Sequence, residues 1–376
     1  MKLRIDQRQL AEAAKRAHRR LPNNPLQPIL GGLLLETDGD SITLSGFDYE
    51  TSTRAALAAD VLEPGHVLVS GRLLADVAAA LPAGPVDLIA DGNEAILTAP
   101  GTTFTLPTMD RRDYPALPEA PAPAGTVDGS LLAAAVVHAA QASMPDKEAA
   151  GKLEGLRGVH VAADGDRLTV SATDRYRIVR HQMPWTPDGD AEGDLLVPAA
   201  YLAATAKQLS GGPVRVSFAS DIAVAALAND TLTVTSRTIA TPFPDIERLF
   251  LDPAAASGWM RADAGELVEA VKRVALVNDK DDQTVVLSFD SDQVTVQAGI
   301  NGPQGASSIG VESADLDGFT ASYRAEWLAS VLAPIGGQVQ VWFTTPTKPV
   351  LIRPVDDDGA ATDNYRAVCM PVRLSR

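Results

Sequence analysis

The chain has 376 residues, with 48 acidic against 32 basic side chains, a formal net charge of −16 and 45% hydrophobic residues. That length exceeds what one compact core usually uses, and the apolar and charged fractions exclude a disordered chain. The single cysteine, Cys369, excludes an intrachain disulfide, and the acidic excess excludes a surface basic all over, though not a basic patch on one face.

Met1-Lys2-Leu3-Arg4-Ile5-Asp6 has no apolar core of signal-peptide length, and no apolar run nears the ~20 residues a membrane span needs, so the chain reads as cytoplasmic. Asp6 stands four residues before Leu10 and three before Gln9, a capping-box pattern that predicts a helix start. On that helix Leu10, Ala13, Ala14 and Ala17 share one face, while Arg8, Glu12, Lys15, Arg16 and Arg19 share the other. The first face would pack on a sheet; the second is a basic stripe. Leu34 to Leu44 alternates apolar and polar residues about Asp38-Gly39-Asp40 and predicts a β-hairpin. A second helix runs from Gly71-Arg72 to Leu81, and a new strand begins at Gly84-Pro85-Val86. The Pro/Ala-rich stretch from Pro115 to Gly125 ends the first domain.

The same order then returns twice. Asp128 precedes Leu132 as Asp6 precedes Leu10, but Leu131 stands at the capping-box place, and Val137 and His138 stand where Lys15 and Arg16 did. A hairpin follows over Val159–Val170, a second helix from Pro198 to Leu209 carrying Lys207, and a strand at Gly212-Pro213-Val214. After a boundary near Asp252–Gly258 come Asp263, Glu266 and Leu267, then Lys272-Arg273 at the stripe positions. A hairpin over Val286–Val296, a helix from Tyr323 to Leu332 and a strand at Gly337-Gln338-Val339 complete the third copy. The turn aspartates Asp38, Asp164 and Asp290 are 126 residues apart. The sequence predicts three α+β domains, 1–118, 125–252 and 258–376, each with two helices packed on antiparallel sheets. A solvated charged face is the plain alternative for any one stripe; its recurrence at one helical phase in two repeats favours function.

Catalysis finds no support. There is no GxxxxGK[ST], GxGxxG, GxSxG or HExxH motif, and the five histidines lack ligand spacing. Cys369 lies in an apolar strand and reads as a packed thiol. Asp356-Asp357-Asp358-Gly359 could hold a hard cation, but no further ligand follows at fixed spacing, so a solvated loop tip is the better reading. Neither a catalytic residue nor a metal site is expected.

Several segments stand in a fixed order: Pro28-Ile29-Leu30-Gly31, Ser45-Gly46-Phe47-Asp48-Tyr49-Glu50, Val67–Arg72, Leu106-Pro107-Thr108-Met109, Ala172–Arg177, Phe243-Pro244-Asp245, Phe343–Pro349 and Met370–Leu374. In this order over three repeats they resemble the β subunit of bacterial DNA polymerase III, the sliding clamp, most nearly that of high-GC Gram-positive bacteria. The resemblance covers essentially the whole chain. It implies a head-to-tail homodimeric ring around double-stranded DNA, without sequence preference and without a cofactor. It also implies interface residues Phe104, Ala275 and Leu276, and DNA-facing cations Arg8, Lys15, Arg16, Arg19, Arg72, Lys207, Lys272 and Arg273. A pocket for short peptide motifs is implied at Leu156, Thr173, Arg175, Tyr176, Arg177 and Ile178, with a second wall of Pro244, Arg248, Leu249, Val368, Met370, Pro371, Val372 and Arg373. Its expected partners are the polymerase III alpha subunit, the clamp loader, other polymerases and repair proteins; no membrane is expected.

The sequence departs from that pattern in places. Asn24 stands where relatives commonly carry an arginine, the second domain's first helix lacks the cationic pair, and Glu247 replaces a frequently basic residue. These changes weaken the expected grip on DNA. With Arg366 and Cys369 at the pocket edge, they point toward a divergent second copy tolerant of pocket-directed inhibitors. A scaffold that binds partners without encircling DNA is the rival reading, and a metal-dependent hydrolase built on the Asp356 loop a distant third.

Overall fold

The computed structural model describes all residues except 23–24, 190–191, 219–222, 279–282, 300–302 and 374–376, so Asn24 and Leu374 lie outside the described residues. Six α-helices are described: α1 (Gln7–His18), α2 (Gly71–Ala80), α3 (Gly129–Gln141), α4 (Ala199–Gln208), α5 (Ala264–Val274) and α6 (Ala325–Leu332). The predicted starts of two of them move inward. Pro198 ends the strand Gly193–Pro198, and Tyr323 and Arg324 end the strand Thr320–Arg324, because each donates or accepts in a sheet ladder before the chain turns.

The aspartate caps form as the sequence predicts. The Asp6 carboxylate accepts from the backbone N–H of Arg8 and Gln9, and that of Asp263 from Glu266 N–H. Asp128 accepts from Ser130 N–H, so the second repeat is capped without the box. On α1 the buried residues include Leu10, Ala13, Ala14 and Ala17, and on α5 Leu267, Ala270, Val271 and Val274. Leu10 and Leu267 are fully buried, and each contributes about 1.5–3 kcal/mol through burial.

The chain divides into two compact bodies. The first comprises Met1–Ser130, Thr186–Ala191 and Thr205–Thr238. It holds a five-stranded sheet in the order 60–63, 2–6, 85–91, 94–99, 102–107. Its nine-stranded sheet runs 186–187, 125–128, 213–217, 224–228, 232–237, 51–58, 41–47, 32–38, 66–70. Helices α1 and α2 pack on each other and on strands of these sheets. The second body comprises Leu131–Trp185, Glu192–Ala204 and Ile239–Arg376. Its nine-stranded sheet runs 193–198, 158–164, 167–173, 177–184, 365–369, 350–354, 338–343, 258–263, 312–314. A four-stranded sheet follows the order 305–310, 293–298, 284–290, 320–324, with α5 and α6 packed together beside it.

Sheets, not repeats, set these bodies. In the first, Val234 pairs with Thr53, joining the end of the second repeat to the first. In the second, Ala367 pairs with Val179, joining the end of the third repeat to the second. The two seams are equivalent. Thr53 and Val179 are 126 residues apart, the hairpin repeat distance, and Val234 and Ala367 each face a large aliphatic residue, Leu227 and Ile352, on the preceding strand. The third member of each set is paired on one side only among the described residues: strand Thr102–Pro107, where Phe104 faces Leu97, and strand Gly305–Gly310, both at sheet edges.

Candidate functional site

The turn Thr173–Arg177 joins two neighbouring strands, and Asp174 shapes it. Its Oδ1 accepts from the backbone N–H of Tyr176 (2.9 Å) and Arg177 (2.7 Å), and Arg175 takes φ 81°. A bulky residue in that region is strained and persists only where neighbours over-determine it. Here they do. Thr173 Oγ1 donates to Arg177 O at 2.7 Å, and the Arg177 guanidinium forms a buried two-point pair with Asp174 Oδ2, Nε at 3.0 Å and Nη2 at 2.8 Å. Its Nη1 donates to Ser330 Oγ of α6 at 2.7 Å. Arg177 is thus consumed in holding the turn, a role different from free peptide contact. Removing either partner of this buried pair would leave an uncompensated charge.

The turn presents Arg175 and Tyr176 to solvent. Tyr176 stacks on Trp327 of α6 with ring centroids 4.5 Å apart and planes 20° apart, and Arg324 lies over the Trp327 ring at 5.2 Å. Sequence reasoning missed Asp174, Trp327 and Arg324. The Asp-x-x-Arg spacing of Asp174 and Arg177 was visible, whereas the α6 contacts are long-range and carry no local signal. Below the turn, Ile178, Ile246 and Val368 form a buried cluster with Phe243 and Phe250 against it. Ile178 pairs with Val368 in the sheet, and Met370 N–H donates to Tyr176 O at 2.8 Å, which brings Met370 beside the turn. Val372 N–H donates to Ser322 O at 2.8 Å.

The second wall assembles around the linker. Leu249 is half exposed, and Arg248 and Pro244 are exposed. Ion pairing of Arg180 with Glu247 at 3.1 Å fixes the neighbouring turn, so Glu247 has a structural partner. Leu156 sits in a separate buried cluster with Met144 and Ala149. Its segment still reaches the linker: Gly155 lies against Pro242 O, and Thr241 Oγ1 donates to Glu154 Oε2 at 3.3 Å. Among the described contacts Arg373 has none that brings it to this cluster. Arg366 pairs with Asp363 at 2.8 Å and covers Phe250 at 6.0 Å. Cys369 is fully buried, and burial pushes its thiol up to about 12, so it stays a protonated core group.

The basic stripe lies on helix surfaces. Arg8, Lys15, Arg19, Arg72, Lys207, Lys272 and Arg273 are exposed, and Arg16 is half-buried against Glu12. Lys15 and Arg16 of α1, with Arg19 just past its end, meet Lys207 of α4 around one cleft of about 520 Å3, which Ser210, Asn229 and Thr231 also line. On α3 the corresponding place is occupied by His138, whose ring stacks on His181 at 5.6 Å. Phe104 is half-buried, Ala275 begins a 3-10 turn after α5, and Leu276 is 83% exposed. The Asp356 carboxylate accepts from Asp358 and Ala360 N–H and so closes its own turn, and no cluster of three or more potential metal ligands occurs among the described residues.

Comparison with known proteins extends over the same length. The chain matches the DNA polymerase III beta subunit in its N-terminal domain at residues 1–118, its central domain at 127–245 and its C-terminal domain at 251–373. It is 37% identical to the beta sliding clamp of Streptomyces coelicolor and 33% identical to the beta sliding clamp homolog GriR of Streptomyces muensis, covering 100% of each pair of chains. The fold superposes with a TM-score of 0.89 on the Pseudomonas aeruginosa clamp solved with griselimycin bound, at 22% identity and 100% coverage of both chains. Three consecutive matches spanning the three repeats leave one assignment: the chain belongs to the DNA polymerase III beta subunit family, the bacterial beta sliding clamps.

Proposed function

We propose that two copies of this chain close head to tail into a ring around duplex DNA and tether polymerases and repair proteins to it. The family is a non-catalytic processivity factor of DNA polymerase III, so the work is topological. The observation that carries the reading is the set of seams. Two equivalent strand pairings occur inside the chain, and the strands that would make a third, Thr102–Pro107 and Gly305–Gly310, stand at open edges. One ring-closing contact, used twice, satisfies both edges in a dimer. Advancing the seam by one repeat puts Phe104 of one copy opposite Gly305 of the other. The space where a Gly305 side chain would lie borders Val274 and Val277 at the end of α5, the segment that holds Ala275 and Leu276.

In this reading the exposed cations of α1, α2, α4 and α5 attract phosphate without reading sequence, and the acidic remainder repels DNA elsewhere. The surface around Tyr176, Met370, Leu249 and the Ile178–Val368 cluster takes apolar anchors of partner peptides, with Arg175 and Arg248 at its edge. Polymerase subunits, the clamp loader and repair proteins are the partners such a surface would serve, in the cytoplasm. Retention on nicked circular DNA with release on linearisation is the expected result. A scaffold that never encircles DNA would be equally retained, or equally lost, on both forms.

Similarity to a chain named a clamp homolog favours one refinement, a divergent copy that tolerates pocket-directed inhibitors. Arg366, drawn over Phe250 by stacking, is the edge residue that supports it. Calorimetry with griselimycin should give weaker binding here than to the Streptomyces coelicolor clamp; equal affinity removes the refinement.

A further inference from the structure

The partner surface described above lies where one repeat's turn meets the next repeat's closing strand. That arrangement occurs a second time in the chain. Asp48 shapes its turn as Asp174 does, its Oδ1 accepting from Glu50 N–H at 3.0 Å and Thr51 N–H at 2.7 Å, and Tyr49 takes φ 73° where Arg175 takes 81°. The closing strand Leu232–Arg237 stands beside it as Tyr365–Cys369 does in the second body. Around this first junction lies a cavity of about 400 Å3, lined by Phe47, Tyr49, Glu50, Pro118, Thr235 and Arg237 among others. Stepping through the repeats, Phe47, Tyr49 and Glu50 take the places of Thr173, Arg175 and Tyr176. Thr235 and Arg237 take those of Val368 and Met370.

We propose that this first junction is a second peptide-docking site, distinct from the partner pocket, for an extended segment of a partner protein carrying an aromatic or branched apolar residue next to a carboxylate. The lining dictates that chemistry. Tyr49 is half exposed and leans on Phe47 at 5.6 Å, so its ring stands as an aromatic wall of a cavity that Pro115 and Pro118 also line. The polar floor is already engaged: Thr235 Oγ1 bonds Ser52 Oγ at 2.7 Å, and Ser236 Oγ donates to Arg237 O at 3.0 Å. An apolar side chain therefore enters without stranding a donor. Arg237 supplies the charge. It pairs with Glu50 at 3.9 Å, both side chains largely exposed, a contact worth little in water. An incoming carboxylate can take that guanidinium in a closer, two-point pair. The second junction also has cations, Arg175 and Arg248, at its edge, but its apolar lining is Met370 and the Ile178–Val368 cluster rather than a tyrosine wall over a threonine floor, so the two sites differ in the apolar residue they fit. The proposal rests on the peptide-docking reading of the second junction for its analogy, and its test separates the two.

The probe is the blocked peptide Ser-Asp-Phe-Leu-Gly with a benzophenone on its aromatic ring, irradiated with the full-length protein, and its counterpart with Lys in place of Asp. Cross-links in segments 47–50 and 115–118 are expected with the acidic peptide, with yield reduced roughly ten-fold for the lysine peptide. Ala116→Trp, an exposed lining position, should abolish these cross-links and spare those near 368–373; Met370→Ala should do the reverse. Arg237→Glu should invert the preference between the two peptides, and it does not touch the core. Cross-links at the first junction that survive Ala116→Trp, an unchanged preference in Arg237→Glu, or labelling confined to 156–178 and 368–373 each overturn the proposal. Loss of labelling at 368–373 alone would count only against the pocket reading.

Discussion

Single positions show where the repeat has drifted. The hairpin turns place Gly39, Gly165 and Ser291 at the same step, with φ of 54°, 56° and 51°. Glycine adopts that conformation freely, but serine pays for it. Ser291→Gly should stabilise the second body by about 0.5–1 kcal/mol, read as a higher urea midpoint with an unchanged slope; a lower midpoint would refute the strain argument. The proposed partner surface gives the second residue-scale expectation. Tyr176 lies on Trp327 at 4.5 Å, so a peptide that displaces the stack must change the indole emission. Leu156→Ala or Met370→Ala should weaken that titration by roughly 1–3 kcal/mol, and Trp327→Phe should remove the signal while leaving calorimetric binding. Unchanged affinity in both alanine variants would remove these residues from the pocket. The residues of this surface were half legible. Ile178 and Val368 came with the resemblance and prove to be paired on adjacent strands, but Trp327 arrives from a helix about 150 residues away in sequence, and Arg177 proves to be a brace, because only the fold reveals Ser330 beside it.

At the scale of elements, α3 differs from α1 and α5 for a visible reason. His138 occupies the stripe position, and its Nδ1 and the Nε2 of His181 are buried without a hydrogen-bond partner among the described residues. His181 lies between the His138 ring at 5.6 Å and Tyr365 at 4.6 Å, and Tyr365 spends its hydroxyl on Val331 O. Burial, then the neighbouring His138, drives the His181 imidazole down to about 3, and burial lowers His138 as well. The unfolded chain titrates near 6.5 and therefore binds more protons than the folded one between those values. Stability is complete above about pH 6.5 and is lost as pH falls toward 3. His181→Phe should flatten that acid limb in denaturation curves collected from pH 7 to 4; a variant that keeps the wild-type slope would place the proton uptake elsewhere. The sequence showed that His138 interrupts the stripe, but not that it turns inward, since its stacking partner lies on a strand of the opposite layer. Helix caps, by contrast, were fully legible, because Asp6, Asp128 and Asp263 act on N–H groups two or three residues away.

For the whole molecule, the decisive question is what closes the open edges. Within the chain, each seam buries its central pair: Val234 with Thr53 in one body, Ala367 with Val179 in the other. The edge counterparts are less protected, Phe104 and Gly305 both being half-buried and Leu276 almost fully exposed. In the proposed ring all three would be buried, and the absent side chain at Gly305 would leave room for a phenylalanine opposite it. A Cβ at Gly305 would meet Val274 and Val277 at 3.5 Å, an ordinary contact, so Gly305→Val should fold, yet occupy the space Phe104 needs. Both Phe104→Ala and Gly305→Val should therefore weaken the dimer by about 2 kcal/mol or more, roughly thirty-fold in dissociation constant, by mass photometry across a dilution series. Both should also shorten residence on nicked circles. Their double variant should be less than additive, because the two changes act on one contact. Additive losses would mean that Phe104 and Gly305 do not face each other, and the seam would have to be drawn in another register.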